Sequence, residues 1–306
     1  MNIQRICVKS GPNKKTFIYT NSKGVRILDA KTLSRIHKLV IPPMWENVFI
    51  SENSLTHLQA TGSDKKKRQY IYHPLWSELA SHNKYVRMGI FCNNIDTFER
   101  KIVKDSSNIT TPRIKLLSLM FRILQKTHIR VGNEQYAKMN KTYGLCTLEK
   151  KHICLNEKNY EVTFSFIGKK NIHQSISIKD KFIYNSLYTM LKNKNKKLFS
   201  VSPSELNNYL QETMGQDFTC KDFRTYASNL LFVDMLSKLP LPTDLKENKR
   251  NLVKAFSYTS HKLGHTPLIS KKSYIMPHIY KQYETNPRVF YKKRPKILLK
   301  QLFKSY

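Results

Sequence analysis

Near the end of the chain a histidine and a tyrosine lie nine positions apart, His265 and Tyr274 in the stretch LGHTPLISKKSYI from Leu263 to Ile275. Gly264-His265-Thr266-Pro267 puts the histidine at a turn that opens a helix. Nine residues of uninterrupted helix would hold the two side chains about 13 Å apart. They share a site only if the chain bends between them, which a turn at Pro267 permits. Taken alone the pair is ordinary, because turn histidines and buried tyrosines are common. Three cations in other segments change its weight: Arg130 in HIRVGNEQY, Lys169 in FSFIGKKNIHQ and Arg224 in CKDFRTYASN. Two arginines, a lysine, a histidine and a tyrosine suit chemistry at a phosphodiester, where a phenolic oxygen attacks phosphorus and negative charge grows on the non-bridging oxygens. Guanidinium forks match those oxygens two at a time, and fixed cations in a water-poor site stabilise the transition state more than the ground state.

These segments resemble the type IB DNA topoisomerases, in particular their small poxvirus, giant-virus and bacterial branch. The resemblance runs from about Ile41 to Tyr283 and places all five positions in order. It implies that Tyr274 attacks one strand of duplex DNA, making a 3′-phosphotyrosyl link and freeing a 5′-hydroxyl. Arg130, Arg224 and His265 would stabilise the pentacoordinate phosphorane, and Lys169, relaying through Arg130, would protonate the leaving 5′-oxygen. Rotation of the free end then removes supercoils, and religation reverses the first step. The phosphoester energy stays in the covalent bond, so no ATP, metal or other cofactor is expected, and the sequence carries neither a P-loop nor a carboxylate cluster. The residues alone leave Lys170 open as the acid; the family's Gly-Lys pattern selects Lys169. Asn133 stands where poxvirus relatives carry Lys, which leaves a phosphate contact expected there without its lysine. Lys221, three residues before Arg224, stands where tyrosine recombinases usually have His, which argues for a topoisomerase. A tyrosine recombinase, needing assembled protomers, and a non-catalytic basic DNA-binding protein, in which Tyr274 is only a core aromatic, are the rival readings.

The net charge agrees with a nucleic-acid partner. Among 306 residues, 54 Lys and Arg against 21 Asp and Glu leave a formal charge of +33, spread over the whole length. A polyanion is the expected partner, nucleic acid before a membrane surface. Cys7, Cys92, Cys146, Cys154 and Cys220 are odd in number and never form a C-x-x-C pair. They are expected to be reduced, buried thiols, with no zinc site. A Cys and a Lys occupy the place of a signal core, and no apolar run approaches the about 18 residues of a membrane span. The expectation is therefore a monomeric intracellular protein, in a virion or viral factory if viral and otherwise in the cytoplasm at the nucleoid.

Positioning the five residues calls for an α+β protein of two domains closing as a clamp around duplex DNA. Residues 1–82 form a small, mostly β, DNA-binding domain. Residues 83–306 form a mainly α catalytic domain with a small sheet, as in the tyrosine recombinase and topoisomerase IB class. Strands are expected at Phe17–Tyr19, Val25–Leu28, Val48–Ser51 and Gln69–Tyr72, and a helix at Ala30–Leu39. IPPMWENVFIS and HLQATGSDKKKRQYIYHPLW resemble the family's N-terminal clamp. Lys65 to Arg68 read either as a solvated charge run or as a phosphate-contacting turn; the resemblance makes Lys67, Arg68, Gln69 and Tyr70 DNA contacts, joined by Tyr136 and Lys221. A polar stretch without apolar periodicity, Glu78–Arg87, is expected to be the linker. Helical spacing follows over Tyr85–Val103 and from Pro112 to Ile123. Arg130 then begins a helix, with Glu134 one turn on to brace it. Thr147–Ile178 alternates as strands, Lys169 lying at the last hairpin turn. Helices fill the rest, starting at Ser202-Pro203 and Thr219, the latter with Leu230, Leu231, Val233 and Leu236 as its apolar face. The basic tail KKRPKILLKQLFKSY either packs on the catalytic domain or lies along DNA.

Overall fold

The computed structural model describes residues 3–10, 15–65, 67–107, 111–215 and 218–304. The chain divides into two compact units, one ending at Lys84 and one beginning at Tyr85. The first is built on an antiparallel sheet of β1 (Ile3–Ser10), β2 (Lys15–Thr20), β3 (Glu46–Ile50), β4 (Leu58–Asp64) and β5 (Lys67–Tyr72), in the order β2-β1-β3-β4-β5. Helix α1 (Ala30–Lys38) starts at Asp29, whose carboxylate accepts from the Thr32 amide at 2.7 Å. This cap satisfies a donor that the first helical turn leaves unpaired. Ile36 from α1 meets Ile3, Tyr19, Val48, Ile50 and Ala60 from the sheet in a small apolar core. Arg5, buried on β1, fastens the Ile41–Trp45 loop by donating to the Trp45 carbonyl at 2.6 Å and the Pro42 carbonyl at 3.1 Å.

Two differences from the expected strands have physical causes. Val25–Leu28 forms no strand, and only Arg26 bridges to Thr20. Val25 and Leu28 are exposed, so apolar type there reflects no buried face. Strand β4 is rich in small polar residues and lacks β-branched alternation. It is held by its place between β3 and β5 and by Gly62, where an added Cβ would come within 2.8 Å of the Trp45 ring.

Helix α2 (Pro74–Ser106) runs unbroken through the stretch expected to be a linker. Residues 78–83 are exposed, so they carry no apolar face although they are helical, and Tyr85 is buried. Helix α3 (Pro112–Thr127) opens on its proline and ends at His128, which adopts a left-handed conformation. Helix α4 (Glu134–Asn140) follows, then a three-stranded antiparallel sheet of β6 (Ile153–Asn156), β7 (Glu161–Ile167) and β8 (His173–Lys179), in sequence order. Helices α5 (Lys181–Leu191), α6 (Pro203–Met214), α7 (Cys220–Lys238) and α8 (Leu245–Leu263) complete the body. Ser202 caps α6 through reciprocal bonds with Glu205, and at the start of α7 the Asp222 carboxylate accepts from the Thr219 amide and hydroxyl. The short α9 (Pro267–Ile269), α10 (Pro277–Thr285) and α11 (Pro295–Lys304) close the chain.

The core of the second unit is aromatic. Phe91 and Phe98 of α2 pack on Phe223 of α7 with ring centroids 5.0 and 5.5 Å apart, and Phe121 of α3 sits edge-on to Phe98 at 5.0 Å. Pairs in these geometries add to the area they bury. On α7 the buried face is Phe223, Tyr226, Ala227, Phe232, Val233 and Leu236; Leu230 and Leu231 are only partly covered. The basic tail packs on the protein: Leu298, Leu299, Leu302 and Phe303 of α11 are buried, Lys296 pairs with Asp96 and Glu99 at 2.6 Å, and Lys300 pairs with Asp96. All five cysteines are free, but only Cys92, Cys146 and Cys220 are buried; Cys7 and Cys154, expected inside, are exposed. Among the described residues no helix is long and apolar enough to cross a membrane, and no group of three or more His, Cys, Asp or Glu could hold a metal ion.

Candidate active site

Arg224 anchors the site from the first turns of α7. It is buried, and its guanidinium donates from Nη1 to the His128 carbonyl at 2.6 Å and from Nη2 to the Leu263 carbonyl. Those acceptors are the chain ends that follow α3 and close α8, carbonyls that a helix terminus leaves without internal partners. Nη2 also donates to His265 Nδ1 at 3.2 Å, while Nε has no hydrogen-bond partner. A buried donor left unpaired in a native fold is expensive, and it suits an anion brought by a substrate.

His265 follows Gly264, the left-handed cap of α8 (φ +60°). A guanidinium only donates, so Nδ1 accepts and the ring proton sits on Nε2, which donates to Ser270 Oγ at 2.7 Å. Thr266 caps α9 with Pro267 at its first position, as the Gly-His-Thr-Pro signature implies. The chain then bends through a π-type turn over Ser270–Tyr274, closed by the Ile275 amide donating to the Ser270 carbonyl at 2.9 Å. This turn, together with that at Pro267, brings the Tyr274 ring back onto the His265 ring, centroids 4.9 Å apart and planes within 14°. Arg224 lies 5.7 Å from the Tyr274 ring centre, and the charges of Arg224 and Arg130 both act on the phenol.

Arg130 lies in the extended segment between α3 and α4, not at a helix start. Its carbonyl accepts from the Leu145 amide at 2.8 Å and that of Val131 from the Cys146 amide at 2.7 Å. The two strands of this crossing touch through glycines: Gly132, at φ +86°, and Gly144. A Cβ on Gly144 would lie 2.5 Å from the Arg130 carbonyl oxygen and 2.6 Å from Gly132 Cα, so only bare backbone fits. Glu134 does not brace Arg130 as expected. It turns outward to Lys197, because Asn133 caps α4 and sets its first turn facing away.

The charges agree with this geometry. Burial first, then Arg224 and Arg130, drop the His265 imidazole to about 4, so the ring is neutral at physiological pH. Burial alone would raise the Tyr274 phenol, yet the two arginines pull it below the ordinary tyrosine value. Burial and the neighbouring Arg130 lower Arg224 to about 10, which still leaves it charged near neutrality. A phenol eased towards its anion beside two cations and a neutral imidazole donor is equipped to attack a phosphodiester.

The remaining sequence-derived residues are more dispersed. Lys169 is exposed on the β7–β8 turn, where Lys170 and Asn171 take left-handed conformations. No hydrogen bond joins Lys169 to the four clustered residues, but its hairpin is seated beside them. Gln174 of β8 packs so closely on Gly264 that a Cβ there would fall 2.5 Å from its Oε1. Lys221 is exposed one turn before Arg224, and Tyr136 is exposed on α4. On edge strand β5, Arg68, Tyr70 and Tyr72 share an exposed face: the Arg68 guanidinium is 5.8 Å from the Tyr70 ring centre, and the two tyrosines stack at 6.2 Å. The pleat turns Lys67 and Gln69 to the other face, in line with Ile71. Lys66 lies outside the described residues. Sequence reasoning missed Asn229, fully buried one turn beyond Arg224: its Nδ2 donates to the Tyr274 carbonyl at 3.0 Å and its Oδ1 accepts from the Met276 amide at 2.9 Å. It clamps the backbone that leaves Tyr274. Nothing marked it, since an Asn in an amphipathic helix reads as a surface polar residue.

Comparison with known proteins gives a consistent result. Residues 76–297 match the family model described as "Eukaryotic DNA topoisomerase I, catalytic core", and residues 16–64 match "Bacterial DNA topoisomerase IB, N-terminal domain". The chain is 32% identical over 319 residues to DNA topoisomerase 1B of Acanthamoeba polyphaga mimivirus, covering 97% of this chain and 94% of that protein. Against DNA topoisomerase 1B of vaccinia virus (strain Copenhagen), identity is 28% over 236 residues, covering 73% of this chain and 72% of the relative. DNA topoisomerase 1 beta of Arabidopsis thaliana is 27% identical over 213 residues, 66% of this chain but 23% of that protein.

Proposed function

The chain belongs to the type IB DNA topoisomerase family, acting on duplex DNA, and from that premise we propose that Tyr274 is its nucleophile and Arg130, Arg224, His265 and Lys169 its catalytic partners. The observation that carries the assignment is the Tyr274 phenol, stacked on a neutral imidazole and lowered below its usual value by Arg224 and Arg130. The phenolic oxygen bonds to phosphorus as the P–O5′ bond breaks, and the phenolic proton leaves for solvent. The two guanidiniums and the His265 Nε2–H take the charge that builds on the non-bridging oxygens. Such donors are commonly worth about 10²- to 10³-fold each. The 5′-oxygen takes a proton from Lys169, relayed through Arg130, and leaves as a hydroxyl. The freed strand rotates, and attack of the same hydroxyl on the phosphotyrosine restores the DNA and the phenol without ATP or metal.

Around this chemistry, residues 1–82 serve as a DNA-binding lobe and residues 83–306 as the catalytic lobe of a monomeric clamp. Lys67, Arg68, Gln69, Tyr70, Tyr136 and Lys221 hold the duplex. The side chains of Arg68 and Tyr70 are supported best, because they are exposed together on a sheet edge. Such an enzyme works inside the cell where duplex DNA is handled, in a viral factory or virion if viral and at the nucleoid otherwise. The test is supercoiled plasmid incubated with the protein in EDTA without nucleotide. Relaxation by the monomer supports the reading. A strict need for magnesium or for assembled protomers contradicts it, the second pointing to a recombinase.

A further inference from the structure

We propose that Ser270 is a positioning residue of this active site: its hydroxyl holds the orientation of the His265 ring, whose tautomer Arg224 sets, and ties that ring to the turn carrying Tyr274. The inference rests on the reading above, in which His265 and Tyr274 act together at the scissile phosphodiester.

Three observations converge on this one side chain. Ser270 is fully buried, and its Oγ lies 2.7 Å from His265 Nε2. On the opposite side of the ring Arg224 donates to Nδ1 at 3.2 Å, so each ring nitrogen has a partner of opposite hydrogen-bonding sense. The ring has a face-on neighbour as well, the phenol of Tyr274. With Arg224 and Ser270 both in place, only one ring orientation and one tautomer satisfy all the partners. Remove the hydroxyl, and a half-turn of the ring, which puts Cδ2 where Nδ1 was and Cε1 where Nε2 was, is opposed by Arg224 alone.

The backbone of Ser270 makes the link mechanical. Its amide donates to the Thr266 carbonyl at 3.0 Å, and its carbonyl accepts from the Ile275 amide at 2.9 Å, closing the turn that ends at Tyr274. One residue therefore holds the imidazole with its side chain and the nucleophile's turn with its main chain. Nε2–H is the single N–H of the neutral ring and Ser270 accepts it in this structure, so Ser270 sets where that donor rests before a phosphate oxygen takes it over. A π-type turn inside a helical segment commonly marks a functional site.

The test combines single-turnover covalent-adduct formation on a duplex, duplex affinity, and ¹⁵N spectra of histidine-labelled protein. Ser270→Ala is expected to slow adduct formation about tenfold, as for a polar group left without its partner, with duplex affinity unchanged. The parent and Ser270→Ala should both show His265 as the Nε2–H tautomer, which Arg224 enforces, with the Nε2 resonance shifted in Ser270→Ala by loss of the bond to Oγ. In a His265→Ala background, Ser270→Ala should slow the reaction no further, because the two residues act as a unit. Three results would overturn the proposal: a Ser270→Ala rate equal to the parent's, an equal slowing with and without His265, or an unchanged Nε2 resonance. A parent that forms no adduct would instead contradict the assignment of Tyr274, and the Nε2 resonance would still report on Ser270 alone.

Discussion

The crossing of Gly132 and Gly144 behind Arg130 offers a perturbation whose size follows from the structure. Gly144 has extended backbone, φ −156° and ψ −178°, which any residue adopts. Gly144→Ala therefore introduces no conformational strain, only a methyl group 2.5 Å from the Arg130 carbonyl oxygen and 2.6 Å from both Cα and N of Gly132. All three are backbone atoms, and ordinary contact needs about 3.4 Å or more, so the Arg130 segment must retreat by close to 1 Å. Overpacking of this kind costs about 1–3 kcal/mol of stability. A 1 Å misplacement of a catalytic group costs on the order of 10²-fold in rate. Gly144→Ala should therefore lose a few degrees in Tm and slow covalent-adduct formation about 100-fold while still binding duplex. Because the effect acts through Arg130, Gly144→Ala combined with Arg130→Ala should be no slower than Arg130→Ala alone. Single-turnover rates at a temperature where every variant is folded decide the matter. A Gly144→Ala rate near the parent's, or a full additional loss in the Arg130→Ala background, would refute the claim that this crossing aims Arg130.

Other expectations follow from the same geometry. Lys169→Ala should slow cleavage by about 10²- to 10⁴-fold if it supplies the proton, and a substrate with sulfur at the 5′-bridging position should erase most of that defect but not the defect of Arg224→Ala. Rescue of Lys170→Ala instead would move the acid by one residue. Burial, then Arg224 and Lys262, hold the His128 imidazole at about 4, against 6.5 ordinarily. Between those values the unfolded chain binds a proton that the folded chain refuses, so stability is full above pH 6.5 and falls as pH drops towards 4, by about 3 kcal/mol in total. His128→Asn, which tolerates the same left-handed backbone, should lose less between pH 7.5 and 4.5 in urea titrations; equal losses would remove His128 as the cause. Gly264→Ala should cost about 1–2 kcal/mol from its left-handed conformation, and Gln174→Ala in addition should relieve the steric part. An identical penalty with and without Gln174 would place the strain in the backbone alone.

How much of this was legible in the sequence depends on whether the signal was local. Helix starts at Ser202 and Thr219 were readable because the cap and its partner lie three residues apart. The types and order of Arg130, Arg224, His265 and Tyr274 were readable along the chain, but their meeting was not. The His265–Tyr274 contact depends on a π-type turn for which LISKKSY carries no distinctive pattern. Asn229 and Ser270 were silent for the same reason: an Asn or Ser reveals its role only through partners such as Tyr274, Met276 and His265 that folding brings close. Glu134 misled because helical spacing from Arg130 was applied where the chain is extended. Glu78–Arg87 showed no sign of being helical because an exposed helix and a linker share the same polar composition. The tail's fate turned on Asp96 and Glu99, nearly two hundred residues upstream, whose pairing with Lys296 no local pattern announces.

The claim at the centre of this account is that the Tyr274 oxygen becomes bonded to the 3′-phosphate of DNA. Duplex labelled with ³²P at the scissile phosphate, incubated with the parent and with Tyr274→Phe in EDTA, then denatured and digested to peptides, measures this directly. The account predicts label on the peptide containing Tyr274 in the parent, a free 5′-hydroxyl on the released strand, and duplex binding without any labelled peptide for Tyr274→Phe. Label on another residue, or a Tyr274→Phe protein that still becomes labelled, would contradict it.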